Sequence, residues 1–240
     1  MPAPGADLWI NTVRYSTPGL IAFGLGCVFW LVAYAGILQQ VRRRGFVEIP
    51  AAAVVANVSW EFLWSFVFTP DTGRLFVWGY RGWVLLDVFI VYCLFKYGPT
   101  QVVNPAIRRY FAPFVAFGIA SWTASLYYFV LGGYDMSMGA TSAYIINVMM
   151  SATWLVLLYS HPPELFSPMV GWSKGIGTAC FTVFMFVEPL HRFGETALAD
   201  RRFLLVLCLI TLALDVAYSA GLHARRRDAA RGRAAAARTA

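Results

Sequence analysis

The chain has 240 residues, of which 59% are hydrophobic and 13% charged, and its formal net charge is +7. A soluble domain of this size carries about a quarter charged residues, so a soluble enzyme is excluded and the apolar runs leave no room for a separate soluble domain. The four cysteines, Cys27, Cys93, Cys180 and Cys208, lie in apolar runs without CxxC spacing; neither a zinc site nor a disulfide framework is indicated, and they read as free thiols.

In chain order, residues 1–18 form an N-terminal segment without a basic n-region or cleavage site, so no signal peptide is expected. Leu8, Trp9, Ile10, Val13 and Tyr15 would make a short interfacial helix, and Pro18-Gly19 opens the first span. Seven apolar spans follow, at 19–40, 49–68, 79–97, 111–131, 138–159, 173–190 and 202–223. Each is long enough to cross the hydrocarbon at about 1.5 Å per residue. Pro and Gly mark the short connections: Pro70 and Gly73, Gly98 to Pro105, Gly132-Gly133, Pro162 to Pro168, and Pro189 onward. The expected fold is an all-α membrane protein, a seven-transmembrane-helix bundle over residues 19–223. Residues 224–240 form a basic Ala/Arg-rich tail, expected to be disordered or to touch lipid.

The positive charges set the orientation. Thirteen of the 19 Lys and Arg fall on one side: Arg42 to Arg44, Lys96, Arg108, Arg109, Lys174 and the six tail arginines. The richer side is cytoplasmic by the positive-inside rule, which puts the N-terminus outside and the C-terminus in the cytoplasm. Topology explains the charge better than a nucleic-acid partner, and none is expected. The Ala/Arg-rich tail suggests a GC-rich genome and a bacterial cell membrane.

Four acids fall within spans: Glu61, Asp87, Glu188 and Asp215. A lone acid at the centre of a membrane helix costs about 2.5–3.5 kcal/mol even on lenient scales. Glu188, before Pro189 at a span end, reads as exposed at the interface. The other three sit deeper: the rise per residue puts Glu61 about 18 Å from the cytoplasmic edge, Asp87 about 12 Å from the outer edge and Asp215 about 12 Å from the cytoplasmic edge. No basic residue is expected deep enough to neutralise Asp87, which would hold its span through Ser or Asn neighbours or serve the chemistry. Asn57, Glu61, Trp64 and Phe68 recur at helical spacing, as do Thr211, Asp215, Tyr218 and Ser219. Trp83 shares the face of Asp87. Trp60 and Trp122 lie too deep for an interfacial belt, and Asn147 serves as helix-packing glue or as a polar contact. Converging, these faces make an aromatic chamber holding carboxyls.

Such a chamber suits proton chemistry. Burial disfavours the charged form of a carboxyl, paired acids can divide donor and partner roles, and aromatic faces stabilise cations by about 0.5–2 kcal/mol each. A proton donor inside an aromatic lining is what a carbocation cyclisation needs. There is no DDxxD-like or DxDD-like run to bind metal and diphosphate, no HExxH, GxSxG or Walker loop, and no lysine in the last span for a retinal Schiff base.

The segment Asn57-Val58-Ser59-Trp60-Glu61-Phe62, with seven spans in this length and Asp215 in the last of them, resembles the integral-membrane terpene cyclases of fungal meroterpenoid and indole-diterpene pathways and their bacterial relatives. The resemblance implies that Glu61 and Asp215 are the essential acids, and that Arg81, Trp83 and Asp87 match a supporting span-3 pattern. It implies protonation of a terminal epoxide or alkene on a prenyl chain joined to an acceptor, with no cofactor, no metal and no loss of diphosphate. The expected partners are a lipophilic prenylated small-molecule substrate and the lipid bilayer. Asn57, Trp60, Trp64, Trp83, Trp122, Asn147 and Tyr218 are the expected substrate-binding residues. A small proton-coupled transporter, a receptor-like seven-helix protein and an assembly subunit remain the competing classes.

Overall fold

The computed structural model describes residues 5–195 and 200–239. Residues 1–4 of the expected N-terminal segment, 196–199 of the expected sixth connection, Ala240 and the side chains of Arg238 and Thr239 lie outside the described residues. Helix starts coincide with capping residues. Ser16 accepts the Gly19 amide at 3.2 Å, Pro18 follows in the first turn, and α1 runs Thr17–Arg44. Gly45, left-handed at φ 61°, ends it by donating to the Val41 carbonyl. Then come α2 (Ala51–Phe66), α3 (Arg74–Gln101), a short α4 (Pro105–Arg109) capped by Asn104, and α5 (Phe111–Leu131). A 3-10 turn (Ser137–Gly139) leads into α6 (Ala140–Ser160); a second (Pro163–Leu165) precedes α7 (Pro168–Val187), and α8 (Arg202–Thr239) closes the chain. No strand occurs among the described residues.

The helices pack in a ring. α1 lies against α7, α7 against α8, α8 against α6, α6 against α2, and α2 against α3. At the two ends of this series, α1 and α3 barely meet. α5 stands outside the ring on α2 and α3. The inner faces hold the largest buried side chains, among them Trp64, Trp154, Tyr34, Phe166 and Phe184. The outer faces are apolar as well: Ile21, Leu25 and Val28 on α1, Leu85 and Val88 on α3, Phe114 and Phe117 on α5, and Val206 and Val216 on α8 are exposed. Apolar surface on this scale belongs against lipid rather than water. Among the described residues six helices are long and apolar enough to cross a bilayer, and α2, with 16 residues, is not one of them. The expected second span is therefore a short central helix of about 24 Å, enclosed by α3, α5 and α6.

Four expectations are corrected. The described part of the N-terminal segment, residues 5–16, makes no helix: Asn11 donates to the Asp71 carbonyl, Tyr15 to the Asp71 carboxylate (2.6 Å), Arg14 pairs with that carboxylate, and the strap is stitched across the α2–α3 connection. Glu188 is buried rather than exposed, because it accepts the Ser16 hydroxyl and amide and so places its charge at the start of α1. Lys174 is not a surface charge; α7 starts at Pro168, which sets Lys174 about 9 Å inward, buried. The tail is helical to Thr239, since Ala and Arg are strong helix formers. Arg225 donates to the Leu158 and His161 carbonyls, and Arg226 to those of Pro163 and Phe166. The Arg225 bonds satisfy carbonyls that the end of α6 leaves unpaired, and those of Arg226 hold the turn that follows.

Glu48, in the α1–α2 connection, ties three elements together. It accepts the Ser167 amide at 2.9 Å and the Tyr218 hydroxyl at 3.2 Å. Burial pushes its carboxyl up to about 8 from an ordinary 4.5. Between those values the folded chain holds a proton that the unfolded chain has released, so stability falls as pH rises through the window. The thermal midpoint of detergent-solubilised protein is expected to drop from about pH 4.5 to about 8, and Glu48→Gln is expected to flatten that slope. An unchanged slope in the variant would assign the effect to another group.

Candidate active site

On α2, Asn57, Trp60 and Glu61 stand at i, i+3 and i+4, one stripe of the helix. That stripe faces a cavity of about 700 Å³ walled by α1 (Phe23, Cys27, Trp30, Tyr34), α3 (Phe76, Tyr80, Trp83), α6 (Tyr144, Asn147) and α7 (Phe181, Met185). Ile10 of the N-terminal strap also lines it. The aromatic rings brace each other: Tyr34 meets Trp83 edge-on at 5.6 Å, Trp60 meets Tyr80 edge-on at 5.5 Å, and Phe23 lies 5.0 Å from Phe76 and 5.1 Å from Phe181. Edge-to-face contacts of this kind hold rings in place.

Asp87 lies just behind the wall. Tyr34 Oη donates to its Oδ1 at 2.6 Å and Asn57 Nδ2 to its Oδ2 at 2.7 Å. One turn from Asn57, Glu61 is buried, it interacts electrostatically with Asp87, and no donor meets its Oε2. A buried carboxyl oxygen left without a partner costs about 1–3 kcal/mol. The asymmetry is chemical: one acid is fixed by two donors, and its neighbour is free to turn toward whatever fills the cavity.

The floor of the cavity is held by an acid that the sequence pattern did not single out. Asp135 accepts the amides of Met136, Thr141 and Ser142 and the Ser142 hydroxyl. Burial pushes its carboxyl up to about 6. Ser142 in turn accepts Trp60 Nε1 at 2.9 Å. The chain Asp135–Ser142–Trp60 thus fixes an indole of the wall. It also clamps a turn in which Met138 (φ 59°) and Gly139 (φ 74°) are both left-handed. Met138, a cavity residue, carries the strain that a side chain meets there. At Gly139 a Cβ would strike the indoles of Trp60 and Trp64.

Asp215 lies elsewhere. It pairs with the buried Lys174 and accepts the Ser151 hydroxyl at 2.7 Å. The Lys174 ammonium stands 5.6 Å from the ring centre of Trp30 and 5.5 Å from that of Trp154. Trp30 therefore has this ion pair near it and the cavity before it. Glu61 lines the cavity and Asp215 does not, so the expected shared chamber does not form: α8 packs chiefly on α6 and α7.

Of the expected contact residues, the cavity takes in Asn57, Trp60, Trp83 and Asn147 and leaves out Trp64, Trp122 and Tyr218. Trp64 turns to Phe68 and Phe193, Trp122 stands on α5 outside the ring, and Tyr218 bonds Glu48. Residues not expected are Tyr34, signalled only as a hydroxyl within the apolar first span, and Lys174, one of two lysines in the chain. Among the described residues no three His, Cys, Asp or Glu side chains gather as a metal site requires.

The family model described as Pyr4-like transmembrane terpene cyclases matches residues 16–227. The Pyr4-family terpene cyclase mfmH of Annulohypoxylon moriforme is 24% identical over 194 residues, covering 79% of this chain and 78% of that protein. Terpene cyclase pyr4 of Aspergillus fumigatus is 22% identical over 212 residues, 87% of this chain and 86% of its own. Terpene cyclase macJ of Penicillium terrestre is 22% identical over 205 residues, 80% and 76% respectively. No solved structure matches. These relatives are fungal, which lends no support to the bacterial membrane expected from the tail.

Removing one partner of a buried ion pair leaves the other charge unanswered, at a cost of roughly 3–5 kcal/mol. Lys174→Met is therefore expected to lower the unfolding midpoint sharply, and Lys174→Met/Asp215→Asn to recover much of the loss. Additive losses in this double-mutant cycle would mean that the two side chains act independently.

Proposed function

The chain belongs to the Pyr4-like transmembrane terpene cyclases, and we propose that its aromatic cavity cyclises a prenyl chain of farnesyl type, joined to an acceptor, by proton-initiated carbocation chemistry. Glu61 is the proton donor. Its protonated carboxyl delivers H⁺ to a terminal epoxide oxygen or alkene carbon. The epoxide C–O bond opens, or the alkene π bond is consumed, and each cation is captured by the next double bond. The last cation loses a proton to the Glu61 carboxylate or to water. Substrate and product are isomers, and the route needs no metal or diphosphate, in keeping with a sequence that has no DDxxD-like run.

The observation that carries this reading is the buried Glu61 carboxyl with an unpartnered oxygen on an aromatic cavity of about 700 Å³. That volume suits a ligand of this size. Asp87, held by Tyr34 and Asn57, is the supporting acid: it fixes the Asn57 amide and the Tyr34 hydroxyl beside the donor. Trp60, Tyr80 and Trp83 offer ring faces to the cations. Asp215 serves through structure, by neutralising Lys174 close to Trp30. The same reading sets the chain in the bilayer with seven crossings, α2 included, N-terminus outside and C-terminus in the cytoplasm. With Lys174 taken out of the surface charges, the bias still stands at twelve to six.

Membranes containing the protein, given an epoxidised or unoxidised farnesyl phenol or indole, are expected to yield a product of unchanged mass and altered retention. Glu61→Gln is expected to keep the unfolding midpoint and lose roughly 10²–10⁴-fold in turnover, the usual weight of a general acid. Near-normal turnover in Glu61→Gln would remove Glu61 from the role. Transport of the substrate across vesicles with no isomer formed would favour the carrier reading instead.

A further inference from the structure

The wall of the cavity is uneven. Its lining residues on α2, α6 and α7 are buried or half-buried, whereas Leu31 on α1 and Leu75, Trp78, Gly79 and Gly82 on α3 line the same space and are exposed. These lie on the two helices that barely meet. Three glycines border the gap, Gly24 on α1 and Gly79 and Gly82 on α3, and a Cβ at any of them would find no atom within 4 Å. Glycine close to a neighbouring helix explains itself by packing; here the backbone borders empty space. The surrounding surface is apolar. At one end of the gap Trp78 stacks with the Arg81 guanidinium at 4.9 Å, a pairing typical of the membrane interface. Toward the other end Leu31 and Leu86 mark greater depth.

We infer that the seam between α1 and α3 is a lateral portal through which a lipid-soluble chain passes between the bilayer and the Glu61 cavity, and that Gly24, Gly79 and Gly82 keep it open. This rests on the proposed function for the nature of the passing molecule, but not for the existence of the opening. The cavity it serves is lined by Glu61, nine-tenths buried with its Oε2 unpartnered, and a chain sliding in from the seam would bring its leading end to that acid. The acceptor group would trail toward the Trp78–Arg81 level. A slot facing lipid forgoes only the van der Waals packing that would otherwise join the two helices.

Cys27, a free thiol on the cavity wall one turn from Gly24, reports on passage without any need for catalysis. Protein in liposomes is treated with a long-chain alkyl maleimide, or in parallel with a charged water-soluble maleimide, and Cys27 is followed by peptide mass spectrometry. The alkyl reagent is expected to label Cys27, and Gly79→Trp and Gly82→Trp, at wild-type unfolding midpoints, to slow it about tenfold, a barrier of about 1.4 kcal/mol. The charged reagent is expected to label Cys27 poorly in all variants. The same variants are expected to lower kcat/KM without changing the product. Labelling at the wild-type rate in both folded variants would overturn the portal, as would equal labelling by the charged reagent, which would make the route aqueous. If neither tryptophan nor Gly24→Leu folds, the open space itself is refuted. Loss of isomer formation in the wild-type chain with undisturbed portal labelling would sink only the proposed function.

Discussion

A carboxyl kept from water must be answered by donors or a cation, or else be held in reserve for chemistry. The interior of this protein follows that constraint closely. Asp87 has Tyr34 and Asn57, Asp135 has three amides and a hydroxyl, Glu188 has Ser16, and Asp215 has Lys174 and Ser151. One oxygen of Glu48 and one of Asp215 also lack a donor, but each of those carboxyls is held through its other oxygen; Glu61 has an unpartnered Oε2 and, among the described residues, no ion pair. The surrounding structure makes that exception tolerable: braced rings, a clamped turn beneath Trp60, and a neighbouring acid already fully engaged.

The organisation around Glu61 follows from how the helices are ordered. α2 is central, so three neighbours fix its side chains, and the stripe Asn57–Trp60–Glu61 looks into the one direction left open. α1 and α7, joined along their length, supply the opposite wall. Behind Trp30 the Lys174–Asp215 pair adds a buried dipole to that wall. Charges that cancel each other at close range are the form in which ions are tolerated at such depth.

Much of this was legible in the sequence. Apolar length gave six of the helices, and Asn57, Trp60, Glu61, Trp83 and Asn147 were placed together by helical spacing and by depth. What failed did so for physical reasons. Depth along a span says nothing of rotation around the ring, so Asp215 was brought to Glu61 although α6 and α7 intervene. A span start drawn at residue 173 put Lys174 at the surface; Pro168, a natural first helical residue, was the overlooked signal. Low complexity in the tail reads as disorder or lipid contact, whereas Ala and Arg continue the helix. Glu188 read as exposed because its partner, Ser16, is 172 residues away. Long-range capping of that kind leaves no local mark.

The brevity of α2 has a consequence for biogenesis. A segment of 16 residues falls short of the hydrocarbon thickness, and the acid at its tenth position after Ala51 adds a cost, so its release into lipid unaided is disfavoured. It must partition as one half of a hairpin with α3, its most extensive partner, shielding Glu61 from acyl chains from the outset. The central helix would thus be the element least able to enter the membrane on its own.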